Sequence, residues 1–473
     1  MGSKTIVIAC DTFAPDRNGT ATFAKNLACS LQQSDYDVHV IAPATSKFYG
    51  TFREKHDGVP LIVHRLKSYR LPFQPTQRFV NPIGLTKKLA GLVSAINPDV
   101  VHIQSHINIG HHASVVANQK KIRLIATNHL DAENLVENVL LAPSFVKRFL
   151  ANLLIRDAAR VFKSADVVVA TSLRSAQMME AIVPKLDVFA ISGGVRLDAY
   201  AAVSKAKQSN RVVTYLGRLD REKHVYVALE ALTRLPNNID LEIIGSGAQQ
   251  DELLELAREL KVSSRVRFYH DLSDAEVIKR LGNSSVFVMP STQELQSMAT
   301  LEAMAAGRPV VAANSMALPN LVQDGVNGFL FKPDSPSDLA LKLQTVFDLD
   351  VSTFESFCNA SKAKASEHDL AKTITSYEQI YDGLTPTKNS LNSDEGYKAE
   401  PSVGALLGKM VRRSSKSISL GANGVIERLD GVRGVVSETF DDVRFNIEKR
   451  SRKVAKKLST SLRKALERIR KDD

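Results

Sequence analysis

The sequence predicts an α/β protein of two doubly wound parallel-sheet domains facing a cleft, followed by a basic helical tail. Three observations lead there. Short β-rich runs alternate with amphipathic helical stretches through the first half of the chain, and the same alternation restarts near residue 211. The C-terminal stretch, in contrast, carries a charge excess that the body lacks.

In the first half the strand candidates are Thr5–Ala9, Val38–Ala42, Val100–Ile103, Leu124–Ala126 and Val167–Ala170, with amphipathic segments such as Thr22–Gln32 and Thr86–Ile96 between them. In the second half they are Arg211–Leu216, Leu241–Ile244, Val266–Tyr269, Val286–Met289, Pro309–Ala312 and Phe329–Phe331. Strands with little polar/apolar alternation, separated by helices, belong to parallel sheets covered on both faces. The polar cluster at residues 201–210 places a boundary there. The expected organisation is a first domain over residues 1–200, a second over 201–365, and a segment 366–384 that packs back on the first. A linker over 385–402 and an amphipathic tail over 403–473 follow.

A chain of 473 residues exceeds what one core supports. Cys10, Cys29 and Cys358 are too far apart in sequence for a disulfide framework or a zinc site, which fits a reducing cytoplasm. The N-terminus runs straight into an apolar strand without a basic n-region, so no signal peptide is expected, and Ile6 stands where a myristoylation motif needs Ser or Thr. No stretch reaches about 18 uninterrupted apolar residues, so none is expected to span a bilayer. From Thr385 onward 20 Lys+Arg face 12 Asp+Glu, a net of +8 out of the chain's +11. Such asymmetry assigns an anionic partner to the tail rather than to the body.

Ligands of doubly wound folds bind beyond the carboxyl ends of strands, near free helix N–H groups. Four polar clusters fall at such positions: Asp11–Gly19, Thr127–His129, Gly217–Lys223 and Ser291–Met298. In the last, Glu294 and Glu302 stand eight positions apart. If the residues between them are largely helical, the carboxylates lie about 12 Å apart along the axis. That exceeds the roughly 5–10 Å of a glycosidase carboxylate pair and suits an elongated ligand gripped at two points, with phosphates near the N–H groups of residues 297–299. The same residues equally read as two solvated helix glutamates. Arg218 and Lys223 sit where fixed cations neutralise a diphosphate, or form an exposed basic loop. Gly19 admits a ligand close to the backbone where a helix opens. His129 follows a strand, a position that serves structure as readily as catalysis.

Together, GRLDREK, the Glu294/Glu302 spacing, EAMAAGRPVVA and DGVNGFLF closely resemble the retaining glycosyltransferase family 4, of GT-B fold with two Rossmann-like domains. The match spans nearly all of residues 4–384. CDTFAPDRNGTATF and TNHLDAENL resemble the subgroup that glycosylates diacylglycerol or phosphatidylinositol. The resemblance implies that Glu294 holds hydroxyls of the transferred sugar, that Glu302 binds the ribose diol, and that Arg218 and Lys223 stabilise the leaving diphosphate. It further implies that His129 contacts the sugar near the reacting face and that Gly19 borders the diphosphate and acceptor. Gln296, Ser297 and Met298 belong with the nucleotide-sugar site, and His270 lies near the base. Front-face attack then needs positioning and leaving-group stabilisation rather than a covalent nucleophile. No Asp-x-Asp motif falls within the four polar clusters, so neither a metal nor a cofactor is expected, the UDP- or GDP-linked sugar being a co-substrate. Ser297 and His270 stand where Gly is usual in the family, and GGVR at Gly193–Arg196 replaces a frequent NGVD.

The tail places Ile447, Val454, Leu458, Leu462, Leu466 and Ile469 on one stripe, with Lys449, Arg450, Lys453, Lys456, Lys457, Arg463 and Lys464 opposite. Such a helix lies in an anionic interface; it also fits a partner helix, packing on the body, or nonspecific nucleic-acid contact, and no specific nucleic acid is expected. The apolar stretch 140–162, with Lys147 and Arg148 embedded, fits burial in the first domain, and in part lipid contact. The expectation is a peripheral enzyme on the inner face of the plasma membrane that transfers a hexose to a lipid. Its rivals are the same chemistry on a soluble sugar or polyol, a noncatalytic binding protein, and, more remotely, a GT-B epimerase.

Overall fold

Two parallel sheets organise the chain, each with a reversal of strand order at its centre. The structure is a computed structural model, and it describes residues 3–16, 18–71, 74–129, 155–204 and 206–386. The chain divides into a unit over Met1–Ala399, which holds both sheets, and a unit over Glu400–Asp473. The second unit, the linker from residue 387, and most of the stretch 140–162 lie outside the described residues.

The first sheet has the order β10-β9-β8-β7-β1-β2-β4-β3. Its strands are β1 (Thr5–Ala9), β2 (Asp37–Pro43), β3 (Gly50–His56), β4 (Val59–Leu66), β7 (Val100–Ile103), β8 (Arg123–Asn128), β9 (Val167–Ala170) and β10 (Val188–Ala190). A hairpin of β5 (Ser68–Leu71) and β6 (Gln74–Val80) stands apart. The second sheet has the order β13-β12-β11-β14-β15-β16. It comprises β11 (Val212–Leu216), β12 (Asp240–Ile244), β13 (Val266–Tyr269), β14 (Val286–Met289), β15 (Val310–Ala313) and β16 (Gly328–Phe331), all parallel.

Two details correct the sequence expectation. The first sheet is not wholly parallel, because β3 runs antiparallel to β4 at its edge. Its residues GTFREKH are mostly exposed, so no apolar run announces the strand; a polar edge also resists pairing with other chains. The first strand of the second sheet begins at Val212 because Arg211 has φ 51°, a left-handed conformation that a strand cannot contain.

In β1 the side chains alternate between two cores. Ile6 and Ile8 join one face with Val38 and Val40, while Val7 and Ala9 join the other with Val101 and Ile103. The helix Leu370–Tyr381 returns to the first of these cores through Leu370, Ile374, Tyr377, Ile380 and Tyr381, spaced by three or four, or adjacent, along one face. The chain therefore crosses between the sheets twice. The crossings are tied together where Val195 N–H donates to His368 O at 2.8 Å and Leu370 N–H donates to Val195 O at 3.0 Å.

The reversals fall between β1 and β7 in the first sheet and between β11 and β14 in the second. A doubly wound sheet opens a crevice at this point, because the helices after the two neighbouring strands cover opposite faces. The segments after these four strands begin with Cys10, Gln104, Gly217 and Pro290. Close backbone crossings shape the second crevice. A Cβ at Gly245 would meet Gly217 O at 1.9 Å, and Gly245 itself has φ +144°. Gly245→Ala should therefore destabilise the chain by roughly 3 kcal/mol or more, since backbone must shift to admit the methyl. A chemical denaturation midpoint equal to that of the wild type would refute this.

Candidate active site

The loop after β11 carries Arg218 and Lys223. Arg221–Lys223 forms one 3-10 turn before the helix Val225–Leu232. Tyr215, buried on β11, donates its hydroxyl to Arg218 O at 2.7 Å and so fixes the loop's exit. Lys223 Nζ donates to Glu294 Oε1 at 2.7 Å, with both side chains largely buried. Arg218 is more exposed and pairs with Asp220 and, at 2.8 Å, with Glu222. An exposed pair of this kind contributes little, about 0–1 kcal/mol, so the guanidinium can exchange these carboxylates for an incoming diphosphate at small cost.

The segment Ser291–Ser297 is not helical; the helix runs only over Met298–Ala305. The 12 Å axial spacing assumed for a continuous helix therefore does not apply, although Glu294 and Glu302 still bracket the helix's free N–H groups. Ser297 precedes the helix with φ 75°, which explains why a glycine suits this position. Its Oγ lies 2.8 Å from Thr300 Oγ1. Ser297→Gly should stabilise the fold by about 0.5–1 kcal/mol through relief of backbone strain, offset by the lost hydroxyl contact. A lowered melting temperature would contradict this.

Glu302 lies one turn into that helix, half-buried, its carboxylate without a hydrogen bond or ion pair among the described residues. Burial and, after it, Asp274 push its carboxyl up to about 7 against the pull of Arg196 and Lys25. Arg196 pairs with Asp57 at 3.4 Å and Asp274 at 3.7 Å, and Lys25 pairs with Asp57 at 2.9 Å. Glu302 thus sits in a cluster fed by both sheets' domains.

Gln296 is buried at the junction. Its Oε1 accepts from Gly193 N–H at 2.8 Å and its Nε2 donates to Ser192 Oγ at 2.5 Å. A side chain at Gly193 would collide with this contact, its Cβ lying 2.9 Å from Gln296 Oε1 and 3.1 Å from Met298 Sδ. Gly19 opens the helix Gly19–Gln33, capped by Asn18, whose Oδ1 accepts from Ala21 N–H at 2.9 Å. A Cβ at Gly19 would lie 3.9 Å from Met298 Cγ. Two helix N-termini, one beyond each reversal point, therefore meet around Met298, and their N–H groups favour an anion there. His270 lies apart from this point, just past β13, where Nδ1–H donates to Gly245 O at 2.9 Å and Nε2 lies 3.3 Å from Gln250 Nε2.

His129 packs its ring 4.8 Å from that of Phe23, and its Nε2 lies 2.9 Å from Gln104 Oε1. Burial lowers its imidazole to about 3, so it is neutral near pH 7. With a carbonyl oxygen at Nε2, that nitrogen carries the proton and Nδ1 is left as an acceptor. Gln104 Nε2 in turn lies 3.3 Å from His102 Nε2, which also meets Thr127 Oγ1 at 2.7 Å. Tyr381 OH meets His102 Nδ1 at 2.7 Å, and Tyr377 OH meets Thr127 Oγ1 at 2.9 Å. A buried polar chain thus runs from His129 to the returning helix. Sequence reading placed Thr127 in a candidate cluster but missed Gln104, His102, Tyr377 and Tyr381. The one available signal was HIQSH at the end of a strand that borders a reversal point. Gln104→Leu should lower kcat about tenfold with donor KM little changed, because the imidazole loses its fixed tautomer. The ¹⁵N resonances of His129 should then show both tautomers; an unchanged Nε2–H signature would remove Gln104 from this role.

These features agree with comparisons to known proteins. A family model described as Glycosyltransferase Family 4 matches residues 17–199, and one described as Glycosyl transferases group 1 matches residues 198–364. A glycogen synthase of Mycobacterium tuberculosis is 27% identical over 304 residues, covering 63% of this chain and 72% of the relative. An alpha-monoglucosyldiacylglycerol synthase of Streptococcus pneumoniae is 23% identical over 346 residues, covering 68% and 74%. Among solved structures, HepE of Anabaena in complex with UDP and glucose superposes with a TM-score of 0.63 at 20% identity, covering 80% of this chain and all of that one.

Proposed function

The chain belongs to the GT-B glycosyltransferases, with a family 4 domain followed by a group 1 domain, and from that premise we propose that it transfers a hexose, with retention, from a UDP- or GDP-linked sugar to a membrane lipid such as diacylglycerol or phosphatidylinositol. The Lys223–Glu294 pair beside the facing helix N-termini carries this reading. A diphosphate seated there meets Lys223, Arg218 and two sets of free N–H groups. Glu294, released from Lys223 as the phosphate takes the ammonium, is free to accept sugar hydroxyls. Charge that develops on the leaving diphosphate is then met by groups already in place, without a metal ion. His129, neutral, accepts a sugar hydroxyl at Nδ1. Glu302 takes the ribose diol, Met298 and Ser297 floor the sugar site, and His270 borders the base.

The lipid acceptor is supported by the basic stripe of the tail and by the diacylglycerol named for the Streptococcus pneumoniae relative. The tail brings the enzyme to the cytoplasmic face of an anionic membrane. Deleting residues 388–473 should sharply weaken binding to anionic vesicles; unchanged binding would remove the tail from this role. A soluble glycan acceptor is the second reading, favoured by the glycogen synthase relative. One screen separates them: nucleotide release from UDP- and GDP-sugars, with and without diacylglycerol, phosphatidylinositol or soluble glycan. Stimulation by lipid alone is expected. Stimulation by glycan alone selects the second reading, and no turnover with any donor contradicts both.

A further inference from the structure

Beside the donor grip lies a small cavity of about 60 Å3. Ile155, Phe162, Met178, Ile182, Val183 and Leu295 form most of its wall. Leu295 is the residue after Glu294, and its carbonyl is held by Ser172 Oγ, so the loop that carries the sugar-binding carboxylate also closes one side of the cavity. One polar side chain on this wall lacks what burial demands. His106 is only 4% exposed, it touches Phe162 edge-on at 5.3 Å between ring centroids, and neither of its ring nitrogens has a hydrogen-bond partner among the described residues. An unmet buried group of this kind is costly, and such groups persist where a ligand meets them.

The chemistry of the wall selects the ligand. A phosphate or a free sugar would leave its own charges and hydroxyls against Phe, Met, Ile and Leu, which is unfavourable. An alkyl chain gains free energy by losing water there. Burial lowers His106 to about 4, and a neutral imidazole offers one donor and one acceptor. A hydroxyl or an ester carbonyl at the root of an alkyl chain pairs with it; a cation does not gain from it. We propose that this cavity is the acceptor subsite for the apolar chain of a hydroxylated acyl ester, with His106 pairing the polar group at the root of that chain. The proposal rests on the lipid-acceptor reading and specifies which residues hold the lipid.

The chain holds no tryptophan, which makes the test direct. Met178→Trp places a single indole on the half-buried rim of the cavity of the full chain. A monoacylglycerol brominated along its chain, used below its micelle concentration, should quench that indole saturably, and glycerol should not compete. Adding His106→Leu should weaken the quenching titration about tenfold, the loss of a hydrogen bond or two, with circular dichroism unchanged. Absence of saturable quenching overturns the proposal, as does a titration that His106→Leu leaves where it was. Transfer assays on the chain without the tryptophan separate the two levels. Transfer to monoacylglycerol with a KM unchanged by His106→Leu overturns the cavity assignment and leaves the lipid reading standing. Transfer to soluble glycans alone overturns both.

Discussion

Lys223→Ala should lower kcat by about 10²–10³, the usual loss when one charge-stabilising group is removed from a transition state, and should also destabilise the fold by roughly 3 kcal/mol, the low end for a broken buried pair. Both effects follow from one geometry. Lys223 Nζ is 2.7 Å from Glu294 Oε1, and both side chains are largely shielded from water. Removing the ammonium leaves Glu294 facing the buried Tyr215 hydroxyl with no opposite charge at contact distance. The double variant Lys223→Ala/Glu294→Ala removes the stranded carboxylate and should recover most of the lost stability. It should recover none of the activity, because the leaving diphosphate loses its cation and the sugar loses its acceptor. Thermal unfolding and donor turnover, measured on the two single variants and the double, resolve these effects. Activity regained together with stability in the double variant would show the pair to be purely structural.

Glu302→Gln should act in opposite directions on stability and on donor affinity. Its carboxyl is raised from 4.5 to about 7 in the folded chain, so the folded state binds the proton more tightly than the unfolded state does. The associated stability is fully present below about pH 4.5 and is lost as pH rises through 7. At pH 8 the wild type therefore holds a poorly solvated carboxylate beside Asp274, and a neutral amide relieves it by ~1–3 kcal/mol. At pH 5 the two proteins should melt nearly together. Donor KM should nonetheless rise about tenfold or more at pH 8, since an ionised acceptor of the ribose diol is worth about 1.5–3 kcal/mol. An unchanged KM would remove Glu302 from the ribose site; a melting difference independent of pH would show that its proton affinity is not raised.

The legibility of this chain follows the range of its interactions. Strand ends are local: an apolar run such as IVIA or VVHI stops, and the ligand-facing loop begins there by geometry. Arg218, Lys223 and Glu294 stand out in the sequence because each sits in such a loop, Gly19 because it opens a helix, and Glu302 because it stands eight positions beyond Glu294. Contacts across long sequence separations left no such trace. The Lys223–Glu294 pair spans 71 positions, and the Tyr381–His102 contact spans 279. Gln296 was assigned to the sugar by its place in the motif, yet the structure engages its amide with Ser192 and Gly193 at the junction. The eight-residue interval between the glutamates was given a helical length because periodicity cannot show where a helix starts. The left-handed Ser297 decides that start.

By itself, then, the sequence determined the class of fold and the restart of the sheet pattern near residue 211, and it pointed to the loops at strand ends as candidates for the chemistry. These depend on periodicity and on residues within a few positions of one another, which any linear reading recovers. The tertiary structure alone decided which charges neutralise one another and which tautomer His129 holds. It likewise decided why Glu302 keeps its proton to higher pH and that His106, on a largely apolar cavity wall, stands unpaired among the described residues. Each of those depends on groups brought from distant parts of the chain into a space that excludes water, where a single neighbour changes the energy of a charge or a hydrogen bond.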